Sequence, residues 1–150
     1  MATNRKLEGF NRKRTLFYHL PAVGYAALIF ALSSMTLDIE ELRPVLTFDK
    51  LLHLAEYYIL GYLLMRAFAT SGVPWLAASP VVAAILVGSA YGLSDEIHQV
   101  FVPGRDASPV DFLFDAAGVS LAAFTYPWVR RRLGPVRALE DRIEAEVRRP

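Results

Sequence analysis

The chain of 150 residues has the length of one domain, and its 16 Lys and Arg nearly balance its 15 Asp and Glu, giving a net charge of +1. This balance gives no reason to expect a nucleic-acid partner, and the absence of cysteine excludes disulfides and thiolate metal sites. Hydrophobic residues make up 54% of the chain, and the mean hydropathy of +0.31 is high for a soluble protein. A soluble helical bundle is disfavoured because little polar surface would remain to cover its core.

Four apolar segments are predicted to cross a membrane as helices, at about residues 16–36, 50–69, 75–94 and 109–129. Two apolar runs, 16–37 and 67–94, contain no Asp, Glu, Lys or Arg, and each exceeds the roughly 20 residues that a spanning helix needs. The other two segments carry their acidic residues near one end. We therefore predict an all-α polytopic membrane protein, a four-transmembrane-helix bundle with an amphipathic C-terminal tail helix.

Basic residues flank the first and last predicted spans, which predicts that both termini are cytoplasmic. They are Arg5, Lys6, Arg12, Lys13, Arg14, Arg130, Arg131, Arg132 and Arg137. The connection at 36–49 is acidic, as expected for an external segment. A cleaved signal peptide is the alternative for the N-terminus, but the first apolar run is longer than the 7–15 residues typical of such peptides.

These features divide the chain into a cytoplasmic basic arm at 1–15, a transmembrane domain at 16–130 and a cytoplasmic tail at 131–150. Small residues in the third and fourth spans predict that these two helices pack together. Apolar residues recur at helical spacing in the tail: Val136, Leu139, Ile143 and Val147. This pattern predicts an amphipathic helix on the inner membrane surface, with a solvated helix as the alternative.

Ionisable residues gather at the ends of the second, third and fourth spans. On the second helix, Asp49, His53 and Glu56 share one face, beside Lys50, and Glu56 lies about 10 Å deeper than Asp49. Charged residues inside a membrane are costly and mark functional sites by default. The predicted topology puts all three clusters at the outer surface.

The third span ends in a second cluster, in which Asp95 and His98 share a face and Glu96 projects elsewhere, toward Lys50 or Arg105. Gln99 follows, and Arg105 comes directly after a Pro-Gly turn.

The fourth helix carries the third cluster. Ser108 is a candidate N-cap with Pro109 in the first helical position, followed by Asp111 and Asp115 on one face. Capping alone would account for part of this acidity, because Asp111 also gains from the helix dipole.

The order of these clusters resembles the VanZ-like family of small bacterial membrane proteins, over roughly residues 45–125. The matching residues are Asp49, Lys50, His53, Asp95, Glu96, His98, Gln99, Phe101, Pro103, Gly104, Arg105, Asp111, Asp115 and Gly118. One departure is Asp115, where the family pattern usually carries Asn. The resemblance implies a bacterial cytoplasmic membrane protein with a role in the cell envelope. The family takes its name from an accessory factor in resistance to the glycopeptide teicoplanin.

Three functions are compatible with this pattern. The first is a site that binds or transfers an anionic membrane lipid or lipid-linked cell-wall precursor. The second is a hydrolase or transferase with general acid–base groups at His53, Glu56, Asp95 and His98. The third is a scaffold in which the charges lock the helices together.

The candidate ligand-binding residues are Asp49, Lys50, Glu96, Gln99, Arg105, Asp111 and Asp115. No cofactor is predicted. A divalent metal remains an alternative, because His-x-x-Glu and Asp-x-x-His each place an imidazole and a carboxylate one helical turn apart.

Overall fold

The structure, a computed structural model, describes residues 2–35 and 46–148. These residues form helices without a strand, which confirms the all-α prediction. The helices are α1 (Ala2–Ser33), α2 (Leu46–Ala69), α3 (Pro74–Ala78), α4 (Pro80–Gln99), α5 (Pro109–Arg132) and α6 (Gly134–Arg148). The predicted basic arm is helical from Ala2 and forms the first part of α1. Most of the acidic connection after α1, from residue 36 to 45, lies outside the described residues.

Three helical segments are long and apolar enough to cross a membrane: Leu16–Ser33, Pro80–Gln99 and Pro109–Arg132. The predicted second span, α2, is not among them. It has 24 residues, but Asp49, Glu56 and Arg66 are among the charges that lower its hydropathy. A count of four spans therefore stays a prediction.

The predicted third segment, 75–94, is divided in two. The short helix α3 ends at Ala78, Ser79 has a non-helical backbone (φ −138°, ψ 57°), and α4 begins at Pro80. Proline lacks an N–H and disfavours a helical conformation in the residue before it, but it suits the first turn of a new helix. At its other end α4 extends to Gln99, beyond the predicted limit at residue 94, so Asp95, Glu96 and His98 of the second charged cluster lie within its last turns.

The helices α2 and α5 pack against each other more extensively than any other pair of described helices. Lys50 pairs with Asp111 near the start of both helices, and farther along Tyr58 and Thr125 share a hydrogen bond of 2.9 Å. Because contacts advance together along both chains, α2 and α5 run parallel and begin at the same end of the bundle.

The helices α1 and α4 run in the opposite direction. The Tyr91 hydroxyl donates to the Ala26 carbonyl at 2.6 Å, and the Ser33 hydroxyl donates to Asp95 Oδ1 at 2.6 Å. Arg66, near the end of α2, donates to the Phe17 carbonyl in the first half of α1, and the Ser108 N–H, just before α5, donates to Glu96 near the end of α4. The ends of α1 and α4 therefore meet the beginnings of α2 and α5. We call this end of the bundle, with its charged side chains, the polar end.

Glycines permit the close approach of α2 and α5. A Cβ added to Gly118 would collide with the Leu54 carbonyl oxygen, and one added to Gly61 would lie 2.8 Å from Val119 Cα. The predicted packing of the third and fourth spans is also present, since Gly88 of α4 lies against the Val119 side chain. Small residues thus set the helix spacing at both interfaces.

The tail helix α6 is attached to the bundle through Glu140, which is only 2% exposed. Its carboxylate accepts from Arg66 Nε at 2.7 Å and from Arg130 Nε at 2.9 Å. Half of the Leu139 surface remains exposed, so this member of the predicted apolar stripe does not pack fully onto the bundle. We call the group of Arg66, Arg130 and Glu140 the basic end.

Candidate functional site

Charged side chains of α2 and α5 pair in register at the polar end. Lys50 forms an ion pair with Asp111, and one turn deeper His53 Nδ1 lies 2.9 Å from Asp115 Oδ1. Both helices repeat their polar residues at three- or four-residue spacing, so two parallel stripes can face each other. Asp115 is completely buried, whereas the His53 side chain is 13% exposed.

The start of α5 is capped as predicted. Pro109 occupies the first helical position, and the Ser108 hydroxyl accepts from the Asp111 N–H at 3.4 Å. Asp111 lies in the first turn, where the helix dipole stabilises a negative charge. The Asp111 carboxylate therefore has two structural partners, the dipole and Lys50.

Asp95 and His98 contact α1 rather than the other charged helices. The carboxylate of Asp95 accepts from Ser33, and from Gln99 Nε2 at 3.3 Å. The His98 Nε2 atom lies 2.9 Å from the Ser34 hydroxyl. The four candidate acid–base residues consequently fall into two groups, with His53 and Glu56 on α2 and these two residues against α1.

Glu96 is buried and has neither of the partners expected from the sequence. Its Oε2 atom accepts from the Ser108 N–H at 2.7 Å instead of contacting Lys50 or Arg105. The guanidinium group of Arg105, a candidate for binding a phosphate or an acid, also has other partners.

The guanidinium of Arg105 binds the end of α1. It donates to the Leu32 carbonyl at 2.9 Å and to the Met35 carbonyl at 3.2 Å, and Gly104 before it adopts a positive φ of 81°. A cation at a helix C-terminus satisfies otherwise unpaired carbonyls and opposes the negative end of the dipole. Within the described residues, Arg105 makes no ion pair with an acid.

Two groups of side chains at the polar end have the spacing of metal ligands. One contains Asp49, His53 and Asp111, and the other contains His53, Glu96 and Asp115. In each group, one ligand atom from every residue lies within 4.8 Å of the others. Asp49 is exposed, while Glu96 and Asp115 are buried.

Three buried oxygen atoms at or just below the polar end have no hydrogen-bond partner among the described residues. They are Glu96 Oε1, Asp115 Oδ2 and the Tyr57 hydroxyl. Glu56 is half-buried, and it too makes no hydrogen bond with the described part of the chain. Buried polar atoms in folded proteins are nearly always paired, so unpaired ones require an explanation.

Sequence reasoning did not identify Ser33, Ser34 or Tyr57 as parts of this site. Ser33 is the last residue of α1 and Ser34 follows it, and both contact residues more than sixty positions away. Tyr57 follows Glu56 directly, and its position one turn beyond His53 is the signal that could have pointed to it.

The fold and its apolar helices define an all-helical membrane protein with a charged cluster at one end of its bundle. The VanZ/LLP1 family model matches residues 4–130, so the chain belongs to this family and the resemblance seen in the sequence is confirmed. Comparisons with curated proteins and with solved structures found no match.

Proposed function

We propose that this protein is a VanZ-like component of the bacterial cell envelope, located in the cytoplasmic membrane, and that its polar end binds or processes an anionic lipid or lipid-linked cell-wall precursor. Family membership and the apolar helices support the membrane part of this proposal. A link to glycopeptide resistance is included because the family takes its name from a factor in such resistance.

The proposed topology has four spans, with α2 as the additional one, and places both termini in the cytoplasm. In support, α2 packs against α1, α4 and α5, so a bundle that crosses the membrane would carry α2 with it. Cationic residues concentrate at the basic end and beyond it, as expected for the cytoplasmic side. The basic arm at 1–15 and the tail at 131–150 would then contact inner-leaflet lipids.

Single cysteines test this topology, because the chain contains no cysteine of its own. Gly72 and Ala107 are exposed and lie in connections toward opposite ends of the bundle. In intact spheroplasts, an impermeant maleimide should label Ala107→Cys, and it should label Gly72→Cys only after lysis. The opposite pattern would invert the topology and remove the polar end from the outer surface.

The observation that carries the binding proposal is the shared start of α2 and α5 at the polar end. The positive ends of two parallel helix dipoles then face one region, together with Lys50 and His53, and helix N-termini favour anions such as phosphate. The imidazole of His53 is mostly buried but keeps 13% of its side-chain surface exposed.

The pairing of His53 with Asp115 favours a second candidate function, hydrolysis or transfer at a phosphate group. A buried carboxylate that holds an imidazole fixes its tautomer and orientation, as general-base histidines require. Glu56 lies one turn farther along α2 and makes no hydrogen bond with the described residues, which leaves it available as a proton donor or acceptor.

The experiment compares a polyprenyl phosphate with the uncharged polyprenol of the same length, by native mass spectrometry of the purified protein in detergent. We expect wild type to retain the phosphate at least about tenfold better, which corresponds to about 1.4 kcal/mol. His53→Gln should remove this preference. His19→Gln is the matched control, since residue 19 follows Tyr18, a neighbour of Arg66 at the other end.

If wild type released inorganic phosphate from the polyprenyl phosphate and Glu56→Gln did not, the protein would be a hydrolase. Equal retention of both lipids by wild type, with an envelope protein co-purifying, would contradict the binding proposal and support a scaffold. The Lys50–Asp111 pair and the Arg105 contacts with α1 would then serve only to hold the helices.

A further inference from the structure

Two buried carboxylates at the polar end each have one unsatisfied oxygen. Asp115 is 0% exposed and Glu96 is 6% exposed, yet Asp115 Oδ2 and Glu96 Oε1 find no partner among the described residues. Leaving a buried charged group unsatisfied costs free energy, because the group loses its water and gains nothing in return. Among the described residues, the Lys and Arg side chains of the polar end are engaged elsewhere, since Lys50 pairs with Asp111 and Arg105 binds carbonyls at the end of α1.

These two carboxylates converge with an imidazole from a third helix. His53, Glu96 and Asp115 come from α2, α4 and α5, and each offers one ligand atom within 4.8 Å of the other two. Glycine permits the approach of α4, because a Cβ added to Gly92 would lie 3.2 Å from Asp115 Oδ2.

The second oxygens of both acids are already fixed. The Ser108 N–H donates to Glu96 Oε2 at 2.7 Å, and His53 Nδ1 lies 2.9 Å from Asp115 Oδ1. The Ser108 N–H orients Glu96 in the way that outer partners orient metal ligands, whereas the second contact already holds two of the proposed ligands, His53 and Asp115, together. Each acid thus has one oxygen in a fixed contact and one buried oxygen without a partner among the described residues.

We propose that His53, Glu96 and Asp115 bind one divalent transition-metal cation, and this inference deepens the proposed function by naming what would hold the phosphate. A set of one imidazole and two carboxylates suits Zn²⁺ or Mn²⁺ better than Mg²⁺, which prefers oxygen ligands and retains its waters. Three protein ligands leave an open coordination position for an oxygen of the anionic ligand.

The cation also explains how an acid-rich cluster can serve an anionic ligand. Acidic residues outnumber permanent cations at the polar end, so phosphate would meet net repulsion there. A bound divalent cation reverses this local charge and becomes the largest positive charge in the site. The neighbouring group of Asp49, His53 and Asp111 is a weaker candidate, because Asp49 is exposed and Asp111 is neutralised by Lys50.

The test uses full-length protein in detergent, dialysed against a chelator and then mixed with Zn²⁺, Mn²⁺ or Mg²⁺ alone. Thermal unfolding and metal analysis by mass spectrometry are the two measurements. At about 100 times the dissociation constant, Zn²⁺ or Mn²⁺ should raise Tm by about 5–10 °C and bind one ion per chain. Mg²⁺ should produce a clearly smaller shift.

Glu96→Gln and Asp115→Asn should lose both the shift and the bound ion. Their metal-free Tm should equal or exceed that of metal-free wild type, since an unpaired buried acid has been removed. This combination separates loss of a ligand from loss of the fold. Asp106→Asn removes an exposed acid from the same end of the molecule and should keep the full metal response.

A wild-type protein whose Tm is unchanged by all three ions, or a shift that survives in Glu96→Gln and Asp115→Asn, would overturn the metal site. Retention of the polyprenyl phosphate by chelated protein would overturn the claim that the metal holds the phosphate, while leaving the proposed function standing. Binding of one metal ion without any preference for the phosphate lipid would keep the metal site and defeat the proposed function.

Discussion

The two ends of the helix bundle differ in whether both oxygens of their buried carboxylates have partners. At the basic end, both oxygens of Glu140 are used, one by Arg66 and the other by Arg130. Arg66 is also held by the Phe17 carbonyl and lies against the Phe17 ring at 4.3 Å. At the polar end, Glu96 and Asp115 each use one oxygen within the described chain and leave the other unpaired.

This difference separates a structural cluster from a candidate functional one. A buried ion network that only holds helices together is stable when every member is satisfied, because an unpaired charge costs several kcal/mol. The three residues of the basic end meet this condition, although the buried hydroxyl of Tyr62, on the same helix as Arg66, also has no hydrogen-bond partner among the described residues. The polar end does not, which supports a ligand or cation as its missing partner.

The largest expected effect on stability comes from disrupting the ion network of the basic end. Glu140→Ala should lower the free energy of unfolding by about 3–5 kcal/mol, because Arg66 would stay buried, at 7% exposure, without its carboxylate. Thermal unfolding of the purified variant in detergent measures this loss. Ligand retention at the polar end should be little changed in the fraction that stays folded.

The matched control lies one residue away. Asp141 is exposed and contacts Arg137 only at 3.9 Å, so Asp141→Ala should cost less than about 0.5 kcal/mol. If Glu140→Ala proved as stable as Asp141→Ala, the ion network would not be what attaches α6 to the bundle.

A smaller effect concerns the packing that brings the two acidic stripes together. Gly118→Ala would force α2 and α5 apart at the Leu54 carbonyl and should cost about 1–3 kcal/mol. Gly24→Ala is the control, since a Cβ there meets nothing within 4 Å and alanine favours helix. Equal stability of the two variants in thermal unfolding would mean that the helices can separate without penalty.

The sequence predicted the local features of the polar end well. Ser108 as N-cap, Pro109 in the first turn and the spacing of Asp111 and Asp115 depend only on neighbouring residues, and the structure has them as expected. The break at Ser79 was missed, because Pro80 can either bend a membrane helix or begin a new one and only tertiary packing decides between them.

Contacts between distant segments could not be read from the sequence. Asp95 binds Ser33 across 62 positions, and Arg66 binds Glu140 across 74. These partners depend on which faces of α1, α4 and α6 turn inward, and the apolar pattern of a membrane helix is nearly uniform around its axis. The partner of Glu96 was missed for the same reason, because Arg105 donates to the end of α1, which comes close only in the folded bundle. The role of Arg105 in ligand binding stays a prediction.

The smallest expected effect on stability concerns two tyrosine hydroxyls in the polar half of the molecule, one paired and one unpaired. Tyr57 and Tyr91 lie close together, with ring centroids 6.3 Å apart, but only Tyr91 has a hydroxyl partner, the Ala26 carbonyl at 2.6 Å. Tyr91→Phe should cost about 1 kcal/mol, the usual net value of one hydrogen bond. Tyr57→Phe should leave the free energy of unfolding unchanged or raise it, because its buried hydroxyl is unpaired within the described residues.

Thermal unfolding of both variants after chelator treatment measures these values, since each variant is the other's control for loss of a single hydroxyl. The sign of the Tyr57→Phe effect is decisive. A cost equal to that of Tyr91→Phe would mean that the Tyr57 hydroxyl already has a partner, such as an ordered water, and that it is not one of the unsatisfied groups of the polar end. A stabilised Tyr57→Phe protein with weaker retention of the polyprenyl phosphate would instead show that this hydroxyl is kept at a cost in stability because the ligand needs it.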